Sequence, residues 1–216
     1  MAATAMFPLE TVLFPYTPLA LRVFEERYLK MLGAALESHE PSFGVVLIER
    51  GSEAGGGDTR FRTGTMARIV EVAATERDIE LLVVGGERIE VGAWWNDEAY
   101  PTAEVHAIGE LRWDPALAPL RDEAEKHVRR VLTRAAMTSG SRWDPNIEIS
   151  DDPLESSWQL AAIAPLGPID QLELLRATSL GGLLARIIDL TLEAEELLKA
   201  TFDHGGGAGD EPGLTA

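Results

Sequence analysis

The chain of 216 residues contains no cysteine, which excludes a disulfide framework and any cysteine-based metal or redox site. Lysine is scarce, occurring only at Lys30, Lys126 and Lys199, and none of these residues lies in a serine–lysine proteolytic motif. No glycine-rich nucleotide loop ending in Gly-Lys-Ser or Gly-Lys-Thr occurs, so no such loop can cradle a phosphate. These absences predict a protein with neither ATPase nor protease chemistry of its own.

The sequence also lacks the segments that direct a chain to or through a membrane. Its first ten residues contain no basic region and no long apolar core, and no apolar run approaches the roughly 20 residues that a membrane span requires. Together with the absence of cysteine, these features predict a cytoplasmic location.

Negatively charged residues outnumber positively charged ones throughout the chain. The formal net charge is −17, and neither residues 1–112 nor residues 113–204 are basic. Because phosphate contacts supply most of the affinity for nucleic acid, and anionic lipids attract basic segments, we expect neither nucleic acid nor a membrane as partner. The acidic surface is most simply a determinant of solubility.

The first half of the sequence reads as β-rich with one helix. Apolar residues at helical spacing predict a helix over 23–36, and Gly85-Gly86 predicts a bulge or tight turn between two paired strands. The predicted strands after the helix are 43–48, 65–72, 79–84, 88–95 and 102–111. Several short strands at this spacing predict a small barrel or rolled sheet.

The pattern changes to helical after Trp113-Asp114-Pro115. Asp152, Pro153 and Glu155 occupy the N-cap, first-turn and third positions of a helix start. The predicted helices are 117–137, one from Asp152 to near Pro165, 169–176 and 180–198. We therefore predict an α+β protein with a β-rich lobe over 1–112, a helical lobe over 113–204 and a disordered tail over 205–216.

Short motifs in a fixed order carry a family resemblance. They are Phe-Pro-Leu at 7–9, Leu-Phe-Pro at 13–15, Phe-Glu-x-Arg-Tyr at 24–28, Phe-Gly-Val-Val-Leu at 43–47, Gly-Thr-x-Ala-x-Ile at 64–69 and a Leu-x-Val-x-Gly run with Arg88 and Val91 over 82–91. Their order over about 90 residues resembles the N-terminal domain family of Lon proteases. Tyr16 departs from the family pattern, which usually has glycine after Phe-Pro.

The resemblance implies a stand-alone Lon-like N-terminal domain with a PUA-like β-rich lobe. It implies a non-catalytic protein, without cofactor, that binds exposed apolar segments of polypeptides or docks to a protein partner. Two candidate contact sites follow from the residues themselves. The turn Phe14-Pro15-Tyr16 concentrates two rings around a proline, and Trp94-Trp95 points adjacent rings to opposite faces of a strand.

Each candidate has a structural alternative. Phe14 alone could be buried, leaving only Tyr16 accessible, and a tryptophan of the pair could pack between the lobes. His39, His106, His127 and His204 show no metal-ligand spacing, and Asp152 is explained by its capping role. A small-molecule hydrolase using scattered Asp and His, or an RNA-binding PUA-type module, are the rival functions. The partner and the oligomeric state stay open.

Overall fold

The computed structural model describes residues 3–51, 59–74, 78–95, 99–138 and 143–205. Within them, strands and one helix come first and helices follow. In chain order the elements are β1 (Thr4–Leu9), β2 (Pro18–Val23), α1 (Glu26–Leu36), β3 (Ser42–Arg50), β4 (Thr59–Ala74), β5 (Ile79–Trp95), β6 (Thr102–Ile108), a short 3-10 turn (Pro115–Leu117), α2 (Ala118–Thr138), α3 (Pro153–Ile163), α4 (Pro168–Leu175) and α5 (Leu180–Gly205). The chain is α+β, as the sequence predicts.

The six strands form one sheet that closes on itself. Their order is β2-β5-β4-β3-β1-β6, and β6 pairs with β5 as well as with β1. Strands β1 and β3 are parallel, whereas the other pairs are antiparallel. Five strands therefore make a closed ring, and β2 is attached outside it along the first half of β5. The pairing agrees with the small barrel or rolled sheet expected from the strand spacing.

The prediction of two paired strands flanking Gly85-Gly86 is wrong, because both belong to the single strand β5. Its first half pairs with β2 and its second half with β6. A two-residue hairpin turn needs glycine at positive φ, and neither glycine has it. The bulge, which was the other predicted alternative, is present, since the register between β4 and β5 shifts next to these residues.

The first helix starts later than predicted. Val23 ends β2, where it pairs with Ile79, and the helix begins at Glu26 after the extended residue Glu25. Phe24 therefore does not share a helical face with Tyr28; its side chain is 62% exposed, whereas Tyr28 is buried. Helical spacing cannot reveal that a preceding strand claims Val23. Similarly, β6 ends at Ile108 and not at Leu111.

The helix start at Asp152 is confirmed. Its carboxylate accepts hydrogen bonds from the main-chain N–H groups of Leu154 and Glu155 at 2.9 and 3.0 Å, and Pro153 occupies the first turn. Such a cap satisfies two main-chain donors that a helix start otherwise leaves unpaired. The predicted loop over 139–149 is described only from residue 143, and the predicted tail, apart from Gly205, lies outside the described residues.

The largest apolar cluster contains residues from both the sheet and the helices. Phe14 from the β1–β2 connection, Leu47 from β3 and Leu111 from the segment after β6 pack with the buried faces of α2, α3, α4 and α5. A second cluster joins the sheet to α1, and a smaller third cluster lies within the sheet. The helices thus depend on the sheet for part of their core.

Arg88 of β5 links the two parts through hydrogen bonds. Its guanidinium is almost fully buried, with the residue 4% exposed, and it donates to the carbonyl oxygens of Leu175, Ala177 and Gly109 at 2.9, 2.6 and 2.8 Å. Leu175 is the last residue of α4, where the helix dipole favours a cation. The guanidinium also lies over the Trp158 ring, 5.1 Å from its centroid. Burial lowers the pKa of Arg88.

We expect Arg88→Met to destabilise the protein by about 3 kcal/mol, since it leaves the buried Leu175 carbonyl and the partly buried carbonyls of Ala177 and Gly109 without their charged donor. Arg68→Met is the matched control, because Arg68 lies exposed on the adjacent strand β4. Urea unfolding of both variants and the parent measures the difference. Equal midpoints for the two variants would contradict the assigned role of Arg88.

Candidate functional site

The β1–β2 loop, residues 10–17, is held in place by hydrogen bonds to two strands and by one within the loop. Thr65 of β4 donates to the Leu13 carbonyl at 2.6 Å, and Thr17 closes the turn by donating to the Phe14 carbonyl at 2.7 Å. On β5, Gly85 accepts from the Tyr16 N–H at 2.8 Å and donates to the Thr17 carbonyl at 3.0 Å. The loop therefore has one fixed position over the bulge of β5.

Glycine is required at position 85 because the loop comes so close to the strand. A Cβ atom on Gly85 would lie 2.0 Å from the Phe14 carbonyl oxygen, closer than any real contact. Gly85 thus serves packing against this loop, and not a hairpin turn.

The structure buries Phe14 and Pro15, so the expectation of accessible apolar surface at these two residues is corrected. Phe14 is 1% exposed, and its ring packs on Trp158 of α3 with centroids 6.1 Å apart. The ring can enter the core because the helices supply a wall that the sequence of the loop does not show. Tyr16 alone keeps a partly accessible side chain. Its contact role stays a prediction.

Tyr16 adopts a left-handed backbone conformation, with φ of 58°. This conformation explains why glycine is favoured after Phe-Pro, since side chains other than glycine rarely adopt it. Two partners outside the loop hold the residue. The phenol donates to Glu110, and the Tyr16 carbonyl accepts from the Gln159 amide at 3.2 Å. The hydrogen bond to Glu110, burial and nearby carboxylates raise the pKa of Tyr16 to about 12.

Trp94 and Trp95 lie far from the loop. They occupy the other end of β5, nine residues beyond Gly85, which corresponds to about 30 Å along a strand. Trp94 packs against the small cluster within the sheet and carries Arg60 over its ring at 4.4 Å, so it does not pack between sheet and helices. Trp95 is 38% exposed. The two predicted contact sites are therefore separate surfaces.

A cleft with both polar and apolar surface opens between the β1–β2 loop and the helices. Its volume is about 330 Å³, and its walls come from the loop, the start of β2, α2, α3 and the α3–α4 turn. Among the residues that the structure describes, its lining contains no ionisable side chain; the described lining residues are Thr11, Val12, Leu13, Thr17, Pro18, Leu19, Leu132, Ala135, Trp143, Ala162, Ile163, Ala164, Pro165, Leu166, Pro168 and Gln171. We call this feature the uncharged cleft.

Sequence reasoning located one wall of the uncharged cleft and missed the other. The loop was predicted as a contact site because of its apolar residues. Trp143, Ala162 and Leu166 lie in segments that the sequence predicts only as helix or loop. The only local signal for this wall is the run Ala164-Pro165-Leu166-Gly167-Pro168, which separates two predicted helices and contains apolar residues. Which surface that turn faces depends on how the helices pack on the sheet.

The described residues offer neither a metal site nor a membrane span. In them, no three His, Asp or Glu side chains come together in a way that could hold a metal ion. Likewise, no helix within the described part is both long and apolar enough to cross a membrane.

The closed sheet, the helices packed on it and the cleft at their junction define an α+β domain. The chain belongs to the family described as the ATP-dependent protease La (LON) substrate-binding domain, whose model matches residues 4–193. The resemblance noted in the sequence is thereby confirmed. No curated protein sequence matches the chain.

Two solved structures are similar over nearly their full length. One is a Lon N-terminal domain protein from Xanthomonas campestris, with 25% identity, a TM-score of 0.60 and coverage of 88% of this chain and 98% of the other. The second is the N-terminal domain of the Mycobacterium avium complex Lon protease, with 17% identity, a TM-score of 0.63 and coverage of 89% and 99%. The second likeness supports the fold alone.

The raised pKa of Tyr16 predicts a pH dependence of stability at alkaline pH. An unfolded tyrosine loses its proton near pH 10, whereas Tyr16 in the folded protein holds it to about 12. The contribution is therefore complete below pH 10 and is lost as the pH rises from 10 to 12. Tyrosinate absorbance should show a phase near pH 12 that Tyr16→Phe removes. An unchanged titration curve in that variant would contradict the assignment.

Proposed function

We propose that this protein binds polypeptides that expose apolar segments, and that the uncharged cleft receives them. One observation carries the proposal: in a chain with a net charge of −17, none of the described residues that line this cleft is ionisable. A concave site with apolar side chains and a few polar groups is the usual form of a ligand site. Family membership supports the same function, since the family is that of a substrate-binding domain.

The size of the cleft limits what it contributes to affinity. A volume of about 330 Å³ accommodates a few apolar side chains, and burying one Leu or Val side chain contributes about 2 kcal/mol. Micromolar affinity corresponds to about 8 kcal/mol, after the cost of ordering the ligand. The cleft therefore needs further contacts from the same ligand.

The proposed role is non-catalytic and requires no cofactor. The sequence offers no nucleotide loop and no serine–lysine motif, and the matched family is a binding domain. We also propose a PUA-like unit over 1–112 and a helical unit over 113–204, which the closed strand ring and the change to helices after Ile108 support. A cytoplasmic location belongs to the same proposal.

The aromatic residues predicted from the sequence keep a secondary place in this proposal. Tyr16 borders a neighbouring cavity with Glu110 and Trp158, on another side of the β1–β2 loop. Trp95 is partly exposed at the distant end of β5. We propose both as additional contact points for a long unfolded chain, with Trp94 supporting Trp95 from within the sheet.

We expect Ala162→Glu to weaken peptide binding at least tenfold, because it places a charge in the lining of the uncharged cleft at a partly exposed position of α3. The probe is a fluorescein-labelled peptide in which leucine and valine alternate with serine, and the readout is fluorescence anisotropy. Ala34→Glu is the matched control, since Ala34 lies exposed in the middle of α1.

Both variants are first compared by urea unfolding to establish that they are folded. Equal affinity of Ala162→Glu and Ala34→Glu for the labelled peptide would overturn the cleft as the binding site. A peptide of the same length and pattern, with glutamate in place of each valine, should bind weakly to all forms of the protein.

A further inference from the structure

We infer that the bound polypeptide is held as an added β-strand on the free edge of β2, with its apolar side chains entering the uncharged cleft. This inference rests on the proposed function and specifies its binding mode. It derives from three features of the described residues: the pairing of β2, the direction of its unpaired main-chain groups and the position of the cleft at the start of this strand.

Strand β2 has a partner on one side only. The ring of β5, β4, β3, β1 and β6 is closed, so each of these strands has neighbours on both sides. Among the described strands, β2 pairs with β5 alone, over Pro18–Val23. It is therefore the strand of this sheet with an edge along its whole length.

The hydrogen bonds of Gly85 fix which residues of β2 face that edge. Gly85 donates to the Thr17 carbonyl at 3.0 Å, so Thr17 directs its carbonyl toward β5. In an antiparallel pair, successive residues alternate between facing the partner and facing away. With the observed register, Leu19, Leu21 and Val23 face β5, whereas Ala20 and Arg22 direct their N–H and C=O groups outward.

The side chains of β2 alternate with the same period of two as these main-chain groups. Pro18, Ala20 and Arg22 are exposed, whereas Leu19 and Val23 are buried in the sheet. The outward groups of Ala20 and Arg22 recur every second residue, about 7 Å apart. An extended polypeptide presents donors and acceptors at the same repeat, so strand addition satisfies both partners.

The uncharged cleft begins where this edge begins. Thr17, Pro18 and Leu19 form part of its lining, so a chain paired with Ala20 and Arg22 reaches the cleft with its next residues. Alternate side chains of a strand point to the same face, which lets an alternating apolar sequence place its apolar side chains on the side of the cleft. The hydrogen bonds supply the contacts that the small cleft lacks.

Charge decides what kind of segment fits. The described lining of the cleft has no ionisable side chain, and the one ionisable residue of β2, Arg22, is already paired with the buried carboxylate of Asp78. A charged segment would lose hydration in the cleft without gaining a partner. The occupant is therefore an extended, uncharged apolar segment of an unfolded polypeptide.

The same strand carries features that keep pairing weak and reversible. Pro18 lacks an N–H group, the strand has only six residues, and Arg22 places a charge near its end. Proline, short length and charge are the means by which natural edges avoid permanent pairing with other chains. Such an edge suits transient capture of a substrate.

The test removes one outward donor without touching the cleft. Ala20→Pro deletes the N–H group that faces the edge, and proline is tolerated on edge strands at positions whose N–H faces solvent. Ala20→Val is the matched control, because it keeps the N–H group and suits a strand. With the labelled leucine–valine–serine peptide, we expect binding at least fivefold weaker for Ala20→Pro than for Ala20→Val.

A second measurement uses the unchanged protein. Peptides N-methylated at one residue at a time should lose affinity in an alternating pattern, since every second N–H group of an added strand faces β2. This experiment decides the question even where Ala20→Pro does not fold. A uniform or absent effect of N-methylation overturns strand addition.

The outcomes separate this inference from the proposed function. Weakening by Ala162→Glu together with a flat N-methylation profile keeps the uncharged cleft and removes strand addition. Equal binding by Ala162→Glu and Ala34→Glu removes the cleft itself. Weakening by Ala162→Glu and Ala20→Pro, with an alternating N-methylation profile, supports both.

Discussion

The buried guanidinium of Arg88 is the interaction on which the arrangement of sheet and helices depends. A cation removed from water requires several partners, and here they are carbonyl groups from the end of α4 and from the segment after β6. None of these partners is an acid, so the geometry of three main-chain groups, and not a single ion pair, sets the position. Where α4 ends relative to β5 also determines where the α3–α4 turn lies, and hence one wall of the cleft.

The β1–β2 loop forms the opposite wall of the cleft, and a small number of contacts hold it in place. Gly85 allows the loop to approach the strand, and Tyr16 turns the chain in a conformation that glycine adopts more easily. The Tyr16 phenol is held by Glu110 and its carbonyl by Gln159, from two different parts of the chain. These contacts offset the strain of a side chain at positive φ. The loop is therefore a rigid border of the cleft and not a mobile flap.

In the proposed function, charge determines which ligands are selected, and main-chain hydrogen bonds add affinity. In that proposal the acidic chain repels acidic ligands, while the uncharged cleft selects for apolar side chains. The edge of β2 adds affinity that does not depend on the sequence of the ligand, since it comes from main-chain groups. A binding domain that must accept many unfolded chains needs this combination of broad affinity and weak selectivity.

Local patterns in the sequence determined most of the secondary structure. The Asp152 cap, the change to helices and the β-rich first half depend on neighbours in the chain, and all three are present. Tertiary packing decided the rest. Phe14 is buried because Trp158 of a distant helix covers it, and Val23 joins β2 because Ile79 pairs with it. Gly85 lies within a strand against which the β1–β2 loop packs, and not in a hairpin turn. The cleft exists only between segments far apart in sequence, so no local pattern could reveal it.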